Sequence, residues 1–180
     1  MRVQRVNVEQ ALTLIRTIPD YPKPGILFQD ITPVLSNPEA FSVVVRALAE
    51  VDPESSVVAG IEARGFIFAS AIAVAKGCGF VPIRKKGKLP YSTYSKQYGL
   101  EYGVDEIEIH TDAFQPGSKV LLVDDVLATG GTLVAAIELV EQAGGIVTDI
   151  AVLSEITLLG GRARIAEHSP DVSIHALISG

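Results

Sequence analysis

Two adjacent carboxylates, Asp124 and Asp125, come shortly before a turn of two glycines, Gly130 and Gly131, in the segment 120–132. Glycines let the backbone turn so that N–H groups converge, and the positive end of a following helix adds to them. Such a turn forms a cup that fits one phosphate. The carboxylates are placed to accept hydrogen bonds from the vicinal hydroxyls of a ribose whose 5-phosphate occupies the cup.

The threonines on either side of these glycines, Thr129 and Thr132, offer hydroxyls to the same phosphate. The alternative is an ordinary strand-to-helix turn with solvated aspartates. The apolar run 120–123 directly upstream favours a binding site, because open α/β sheets bind their ligands beyond the carboxyl ends of buried strands. The segment therefore predicts a site for ribose 5-phosphate.

Two other phosphate-binding motifs are absent from the sequence. A P-loop requires Gly-Lys followed by Ser or Thr, and no such tripeptide occurs. Gly77 and Gly79 begin a dinucleotide-binding pattern, but Pro82 stands where the third glycine is required. That segment also leads into a predicted strand instead of leaving one, which excludes the dinucleotide interpretation.

Four cations stand within five positions: Arg84, Lys85, Lys86 and Lys88. Such a run is often a solvated surface or a nucleic-acid patch. The chain as a whole carries a net charge of −6, whereas nucleic-acid surfaces are normally basic. A site for an anionic substrate is therefore the better interpretation, and no nucleic acid is expected as a partner.

The elements that must position these residues alternate between strand and helix. Short, continuously apolar runs indicate strands covered on both faces, which is typical of a parallel sheet. The fold class predicted is a doubly wound, mostly parallel α/β sheet flanked by helices. The predicted strands are 57–59, 80–83, 120–123 and 146–153, and the predicted helices run from Asn7 to about Ile18, from Pro38 to about Glu50, over 65–76 and over 132–143.

The length of 180 residues predicts one domain, residues 1–180. Residues 85–105 have no core pattern, and a long polar segment of this kind is usually functional or mobile, so a flexible lid loop is predicted there. No apolar run is long enough for a membrane span, and no signal sequence is predicted. The single cysteine, Cys78, excludes an internal disulfide and fits a reducing cytoplasm. His110, His168 and His175 have no metal-ligand spacing.

Four segments, in order along nearly the whole chain, resemble type I phosphoribosyltransferases, and most closely their adenine-specific members. The glycine turn is similar to the family's phosphoribosyl-pyrophosphate loop. The segments are 20–31, 62–66, 84–90 with 100–103, and 123–132. One departure is Gln29, which stands where many members have arginine.

The resemblance implies a transfer of ribose 5-phosphate from phosphoribosyl pyrophosphate to adenine. Glu101 would manage the proton of the purine imidazole nitrogen, and Arg64 and Lys88 are the other catalytic residues implied. A cis peptide is implied near Ala63. The residues implied to bind phosphoribosyl pyrophosphate or the product nucleotide are Ala63, Arg64, Arg84, Lys88, Asp124, Asp125, Ala128, Thr129, Gly130, Gly131 and Thr132.

The resemblance also implies a small N-terminal hood, residues 1–35, in which Leu27, Phe28 and Gln29 bind adenine. Mg²⁺ is expected to arrive with phosphoribosyl pyrophosphate near Asp124 and Asp125, with no direct protein site. The protein is expected to form a homodimer in which Lys88 reaches the neighbouring subunit's site.

Two alternatives remain at this point. One is a phosphoribosyltransferase for another purine base, and the other is a regulator that keeps the nucleotide site without catalysis. Glu101 and the cation cluster weigh against a regulator, because a sensor needs the phosphate cup but no residue to manage a proton. A DNA-binding regulator would need an additional basic module.

Overall fold

A sheet of seven strands dominates the part of the chain that the computed structural model describes, residues 6–100 and 103–180. A separate pair of strands precedes it. The strands are β1 (Arg16–Pro19), β2 (Leu27–Asp30), β3 (Val57–Ile61), β4 (Gly79–Lys85), β5 (Thr93–Leu100), β6 (Gly103–His110), β7 (Ser118–Leu127), β8 (Gly145–Glu155) and β9 (Ser173–Ser179). The helices are α1 (Val8–Leu12), α2 (Thr32–Ser36), α3 (Pro38–Ala49), α4 (Arg64–Lys76), α5 (Gly131–Gln142) and α6 (Gly161–His168).

The chain forms two compact units, residues 1–47 and 48–180. In the first unit, Asn7 caps α1 with its side chain, and β1 pairs antiparallel with β2. The prediction of one helix through Ile18 is wrong, because residues 16–19 find a strand partner further along the chain. The helix predicted to begin at Pro38 is confirmed as α3. The single domain 1–180 and the hood 1–35 stay predictions.

The large sheet has the order β5-β6-β4-β3-β7-β8-β9. The five strands from β4 to β9 in this order are parallel, and β5 and β6 form an antiparallel hairpin at one edge. The run 120–123 in β7 is completely buried, as expected for a strand covered by helices on both faces. The predicted doubly wound, mostly parallel α/β sheet is confirmed.

The centre of this sheet contains a topological switch point between β3 and β7. From β3 the chain passes through α4 to β4 on one side, and from β7 it passes through α5 to β8 on the other. Ligands of open α/β sheets bind in the crevice that forms at such a point, outside the carboxyl ends of the strands. The two segments that enter this crevice are residues 62–64 and 124–132.

Residues 85–105 are not a loop throughout. β5 pairs with β6 over its whole length, and β4 joins the hairpin through Arg84 opposite Glu108 and Lys85 opposite Ile107. Buried Glu108 accepts N–H groups of Lys88 and Leu89 at 2.9 and 2.8 Å, which fixes the turn after β4. Closure of this segment over the site stays a prediction. Within the described residues, no helix has the length and apolarity that a membrane crossing requires.

Candidate active site

The turn after β7 forms a small concave site, here called the phosphate cup (residues 128–132). Gly130 adopts a left-handed conformation with φ of 77°, and α5 begins at the next residue. The first N–H groups of a helix have no partners within the helix, so they face the cup together with the positive end of the helix dipole. A cavity of about 140 Å³ lies here, lined by Asp124, Val126, Ala128, Thr129, Gly130, Thr132 and Leu133.

The two aspartates are strand residues, because β7 continues to Leu127. The sequence had predicted that the strand ends before them. Pairing with β8 continues past them, from Asp124 opposite Val152 to Leu127 opposite Glu155, and this holds the backbone of both aspartates extended. The carboxylates are therefore carried by a rigid element at the edge of the crevice.

Asp124 and Asp125 lie side by side, and Arg64 forms an ion pair with Asp125. Desolvation raises the pKa of Asp124 well above its ordinary value, and the charge of Asp125 raises it further. Desolvation also raises the pKa of Asp125, while the charge of Arg64, which forms an ion pair with this carboxylate, acts to lower it. Hydroxyl groups of a sugar can satisfy such carboxylates, because they donate hydrogen bonds without adding charge.

The amino end of α4 approaches the same carboxylates from the side of β3. Ala63 is the cap residue of α4, and the Glu62–Ala63 peptide bond is cis, which agrees with the family resemblance. Gly65 lies against the end of β7. Two helix amino ends, those of α4 and α5, therefore enter one crevice, which favours an anionic ligand there.

The Glu62 carboxylate interacts with two of the predicted site cations, Arg84 and Lys88. Its Oε2 atom accepts a hydrogen bond from Arg84 Nε at 3.3 Å and from the N–H of Lys85 at 2.9 Å, and its Oε1 atom lies 3.8 Å from Lys88 Nζ. The pKa of Glu62 is lowered by these partners against the opposing effect of desolvation. Arg84 and Lys88 are thereby held next to the turn of residues 62–64.

A second cavity, of about 330 Å³, here called the central cavity, joins these groups. It is separate from the phosphate cup but shares Asp124 and Thr132 with it. The lining residues are Ile61, Glu62, Ala63, Arg64, Lys85, Tyr98, Asp105, Asp124, Asp125 and Thr132.

The structure thus brings most of the predicted phosphoribosyl residues together. Gly131 is the first residue of α5 and packs towards Arg164 and the Gly99 carbonyl instead of lining either cavity. Leu27, Phe28 and Gln29 form β2 of the first unit, where the rings of Phe28 and Tyr21 meet edge to face at 5.1 Å. Glu101 lies outside the described residues.

Comparison with known proteins identifies the family. A model of the phosphoribosyl transferase domain matches residues 31–171. The adenine phosphoribosyltransferase of Thermobifida fusca is 54% identical over 165 residues, which are 91% of this chain and 92% of that protein. The chain belongs to the adenine phosphoribosyltransferase family.

Solved structures of family members have the same fold over nearly the whole chain. The adenine phosphoribosyltransferase of Thermoanaerobacter pseudethanolicus is 46% identical with a TM-score of 0.90, covering 97% of this chain and 100% of that one. The enzyme of Giardia lamblia, solved with 9-deazaadenine, is 40% identical with a TM-score of 0.88, covering 97% and 98%. The chain is therefore a transferase with the type I phosphoribosyltransferase fold.

Four residues that line the central cavity had no individual role predicted from the sequence: Glu62, Lys85, Tyr98 and Asp105. Lys85 was counted only as one member of the cation cluster. A signal for Tyr98 exists, since Tyr94, Lys96 and Tyr98 alternate with small or polar residues, which is the period of a strand. The three histidines make no shared site: His168 bonds Glu138, His175 bonds Asp149, and His110 packs against Tyr91.

Proposed function

We propose that this chain transfers the 5-phosphoribosyl group of phosphoribosyl pyrophosphate to N9 of adenine, giving AMP and pyrophosphate. One observation carries the proposal. A phosphate cup, an acid pair in which Asp125 is buried, and several cations meet at the switch point of the sheet, in a chain of the adenine phosphoribosyltransferase family. A sugar phosphate with a second anionic group fits that combination.

The 5-phosphate is proposed to bind in the phosphate cup. The N–H groups at the start of α5 and the hydroxyls of Thr129 and Thr132 supply donors for its oxygens, with Ala128, Gly130 and Gly131 shaping the backbone. Asp124 and Asp125 then accept hydrogen bonds from the two ribose hydroxyls. Because β7 and α5 are rigid elements, this arrangement fixes the position of C1 before the reaction, which lowers the entropy cost of the transition state.

The pyrophosphate is proposed to bind on the side of the crevice that follows β3. Arg64 and the N–H groups at the start of α4, next to Ala63, face this side. Arg84 and Lys88 are held nearby by their ion pairs with Glu62. The C1–oxygen bond of phosphoribosyl pyrophosphate breaks, its electron pair leaves with the pyrophosphate oxygen, and the new bond forms between C1 and N9. Positive charge near the departing oxygens stabilises this separation.

Mg²⁺ is proposed as the metal of the reaction. It prefers oxygen ligands and usually binds through one or two carboxylates together with substrate phosphates. Asp124 and Asp125 line the central cavity, so a metal ion carried by the substrate phosphates would lie near them without a direct protein ligand. When bound with the substrate, the metal neutralises charge on the leaving pyrophosphate.

The resemblance supplies the proposal for the base. Leu27, Phe28 and Gln29 bind adenine, with apolar side chains beside its faces and backbone groups at its edge. Glu101 accepts or shares the proton of the imidazole ring while N9 forms its new bond. A homodimer and a cytoplasmic location are also proposed, the first because the resemblance implies that Lys88 serves a neighbouring subunit.

The test is a product assay with the purified protein, phosphoribosyl pyrophosphate, Mg²⁺ and each of adenine, hypoxanthine and guanine. Adenine should give AMP at least about tenfold faster than the other bases give their nucleotides, which is the effect of one mismatched hydrogen bond of about 1.4 kcal/mol. Equal use of hypoxanthine would contradict the adenine assignment alone. No nucleotide from any base would contradict the proposed transfer.

A further inference from the structure

A row of polar contacts crosses the wall of the central cavity and reaches Thr132 through Lys85, Asp105 and Tyr98, three residues that the proposed mechanism does not use. Asp105 Oδ2 lies 3.0 Å from Lys85 Nζ and accepts a hydrogen bond from the Tyr98 hydroxyl at 3.3 Å. The side chain of Thr132 lies beside the Tyr98 hydroxyl in the same cavity and acts to lower the pKa of Tyr98, against the larger effect of desolvation. All four residues line the central cavity.

The two ends of this row of contacts, Thr132 and Lys85, lie where the two anionic ends of the proposed ligand bind. Thr132 belongs to the first turn of α5 and also lines the phosphate cup. Lys85 is the last residue of β4, and its N–H group bonds Glu62, next to the turn that precedes α4. These polar contacts therefore connect the 5-phosphate side of the crevice with the pyrophosphate side.

The Asp105 carboxylate, at the centre of these contacts, has a partner on each of its two oxygens. Asp105 Oδ1 accepts the N–H of Glu106 at 2.9 Å, while Oδ2 faces Lys85 and Tyr98. The hydrogen bond with Lys85 lowers the pKa of Asp105, and the same bond raises the pKa of Lys85, so both partners stay charged. Lysine has a long, flexible side chain that loses rotamer freedom when its ammonium group binds a ligand. A fixed carboxylate partner restricts the Lys85 side chain beforehand, which lowers the entropy cost of binding.

We propose that Tyr98 and Asp105 are positioning residues for phosphoribosyl pyrophosphate, which hold the Thr132 hydroxyl and the Lys85 ammonium in place for the two anionic ends of the ligand; this rests on the proposed function. Asp105 does not itself touch the ligand. It acts through Lys85 and Tyr98, and Tyr98 acts through Thr132.

Neighbouring residues provide matched controls for this proposal. Glu106 follows Asp105 on β6 and pairs with Lys86 at 2.7 Å, but it does not line the central cavity. Tyr94 lies on β5 with Tyr98, packs against the hydrophobic core and does not line the cavity either. Glu106→Gln and Tyr94→Phe thus make the same chemical changes as Asp105→Asn and Tyr98→Phe outside the contact chain.

The experiment is calorimetric titration of the four full-length variants and the wild type with phosphoribosyl pyrophosphate and Mg²⁺, in the absence of any base. Asp105→Asn and Tyr98→Phe should each raise the Kd by about fivefold or more, as expected for one lost hydrogen bond. The two control variants should bind like the wild type. Titration with the separate fragments adds a directional result: Asp105→Asn should mainly weaken pyrophosphate, and Tyr98→Phe should mainly weaken ribose 5-phosphate.

Several outcomes would overturn the positioning role. They are an unchanged Kd in both test variants, or tighter binding by Asp105→Asn, which would mean that Asp105 only competes with the ligand for Lys85. Equal weakening of both fragments together with a lower melting temperature would mean a structural role alone. Failure of the wild type to bind phosphoribosyl pyrophosphate at all would instead refute the proposed function, and with it the premise of the inference.

Discussion

Gly65, in the first turn of α4, lies directly against Asp124 near the end of β7. A β-carbon at position 65 would stand 3.0 Å from Asp124 Oδ1 and 2.9 Å from the Val123 carbonyl oxygen. Both distances are shorter than ordinary contacts between carbon and oxygen. The absence of a side chain at residue 65 is therefore what allows α4 to approach the acid pair.

Gly65→Ala is expected to push α4 away from β7. Overpacking of this kind costs about 1–3 kcal/mol of unfolding free energy. The Kd of phosphoribosyl pyrophosphate should also rise, because Arg64 moves with the helix. Denaturant unfolding and calorimetric binding measure the two effects. Gly79→Ala is the control, since a β-carbon there meets nothing within 4 Å; equal stability of the two variants would show that the close approach is not rigid.

Asp124→Asn is expected to change the pH dependence of stability. A carboxyl whose pKa is raised by folding stabilises the folded state while it holds its proton. This contribution is fully present below the ordinary aspartate pKa of about 4 and is lost as the pH rises through the raised value. Asparagine keeps the oxygen that accepts the N–H of Asp125 but has no charge to desolvate.

The variant should therefore match the wild type in unfolding free energy near pH 4 and exceed it at pH 8. Denaturant unfolding at a series of pH values gives this difference directly. A variant that is less stable than the wild type at pH 8 would mean that the ionised carboxylate is stabilised by its surroundings.

Thr129→Ala is expected to weaken binding of the phosphate group specifically. Loss of one charge-assisted hydrogen bond should raise the Kd of AMP about tenfold. The affinity for adenosine, which has no phosphate, should not change, and Thr129→Ser should restore AMP binding because it keeps the hydroxyl. Calorimetric titrations with both ligands measure this; a similar loss for adenosine would place Thr129 outside the phosphate site.

Glu101→Gln is expected to lower turnover by about 10²-fold or more, because glutamine keeps the shape of the side chain but cannot carry the proton. The Kd of phosphoribosyl pyrophosphate should be unchanged, and stability should stay within about 0.5 kcal/mol of the wild type. Single-turnover rates with adenine provide the measurement. An unchanged rate would exclude Glu101 from the proton transfer, and a large loss of stability would indicate a buried structural glutamate.

The central strands and the phosphate cup could be predicted because their signals are local. Residues 120–123 are continuously apolar, and the aspartates and glycines follow within ten positions, so one short window contains both the strand and the site. The helices α3, α4 and α5 were predicted close to their observed limits for the same reason.

The contacts that depend on strand pairing could not be predicted in this way. Residues 16–19 continue a helical pattern but form β1 because β2 lies opposite them. The hairpin of β5 and β6 is polar along most of its length, so its strand period is weaker than that of the central strands. The ion pair of Lys85 and Asp105 requires the register between β4 and β6, which places residues twenty positions apart side by side.

The phosphate cup also depends on a part of the chain about thirty residues later. A β-carbon on Gly130 would stand 2.7 Å from the Gly161 carbonyl oxygen, and one on Gly161 would stand 2.2 Å from the Ala128 carbonyl oxygen. The two backbones are in direct contact, so neither glycine can gain a side chain unless the other segment moves. An engineer who wishes to reshape the cup for a larger anion must therefore redesign the start of α6 together with the glycine turn, because libraries restricted to residues 128–132 can reach only shapes that the second backbone permits.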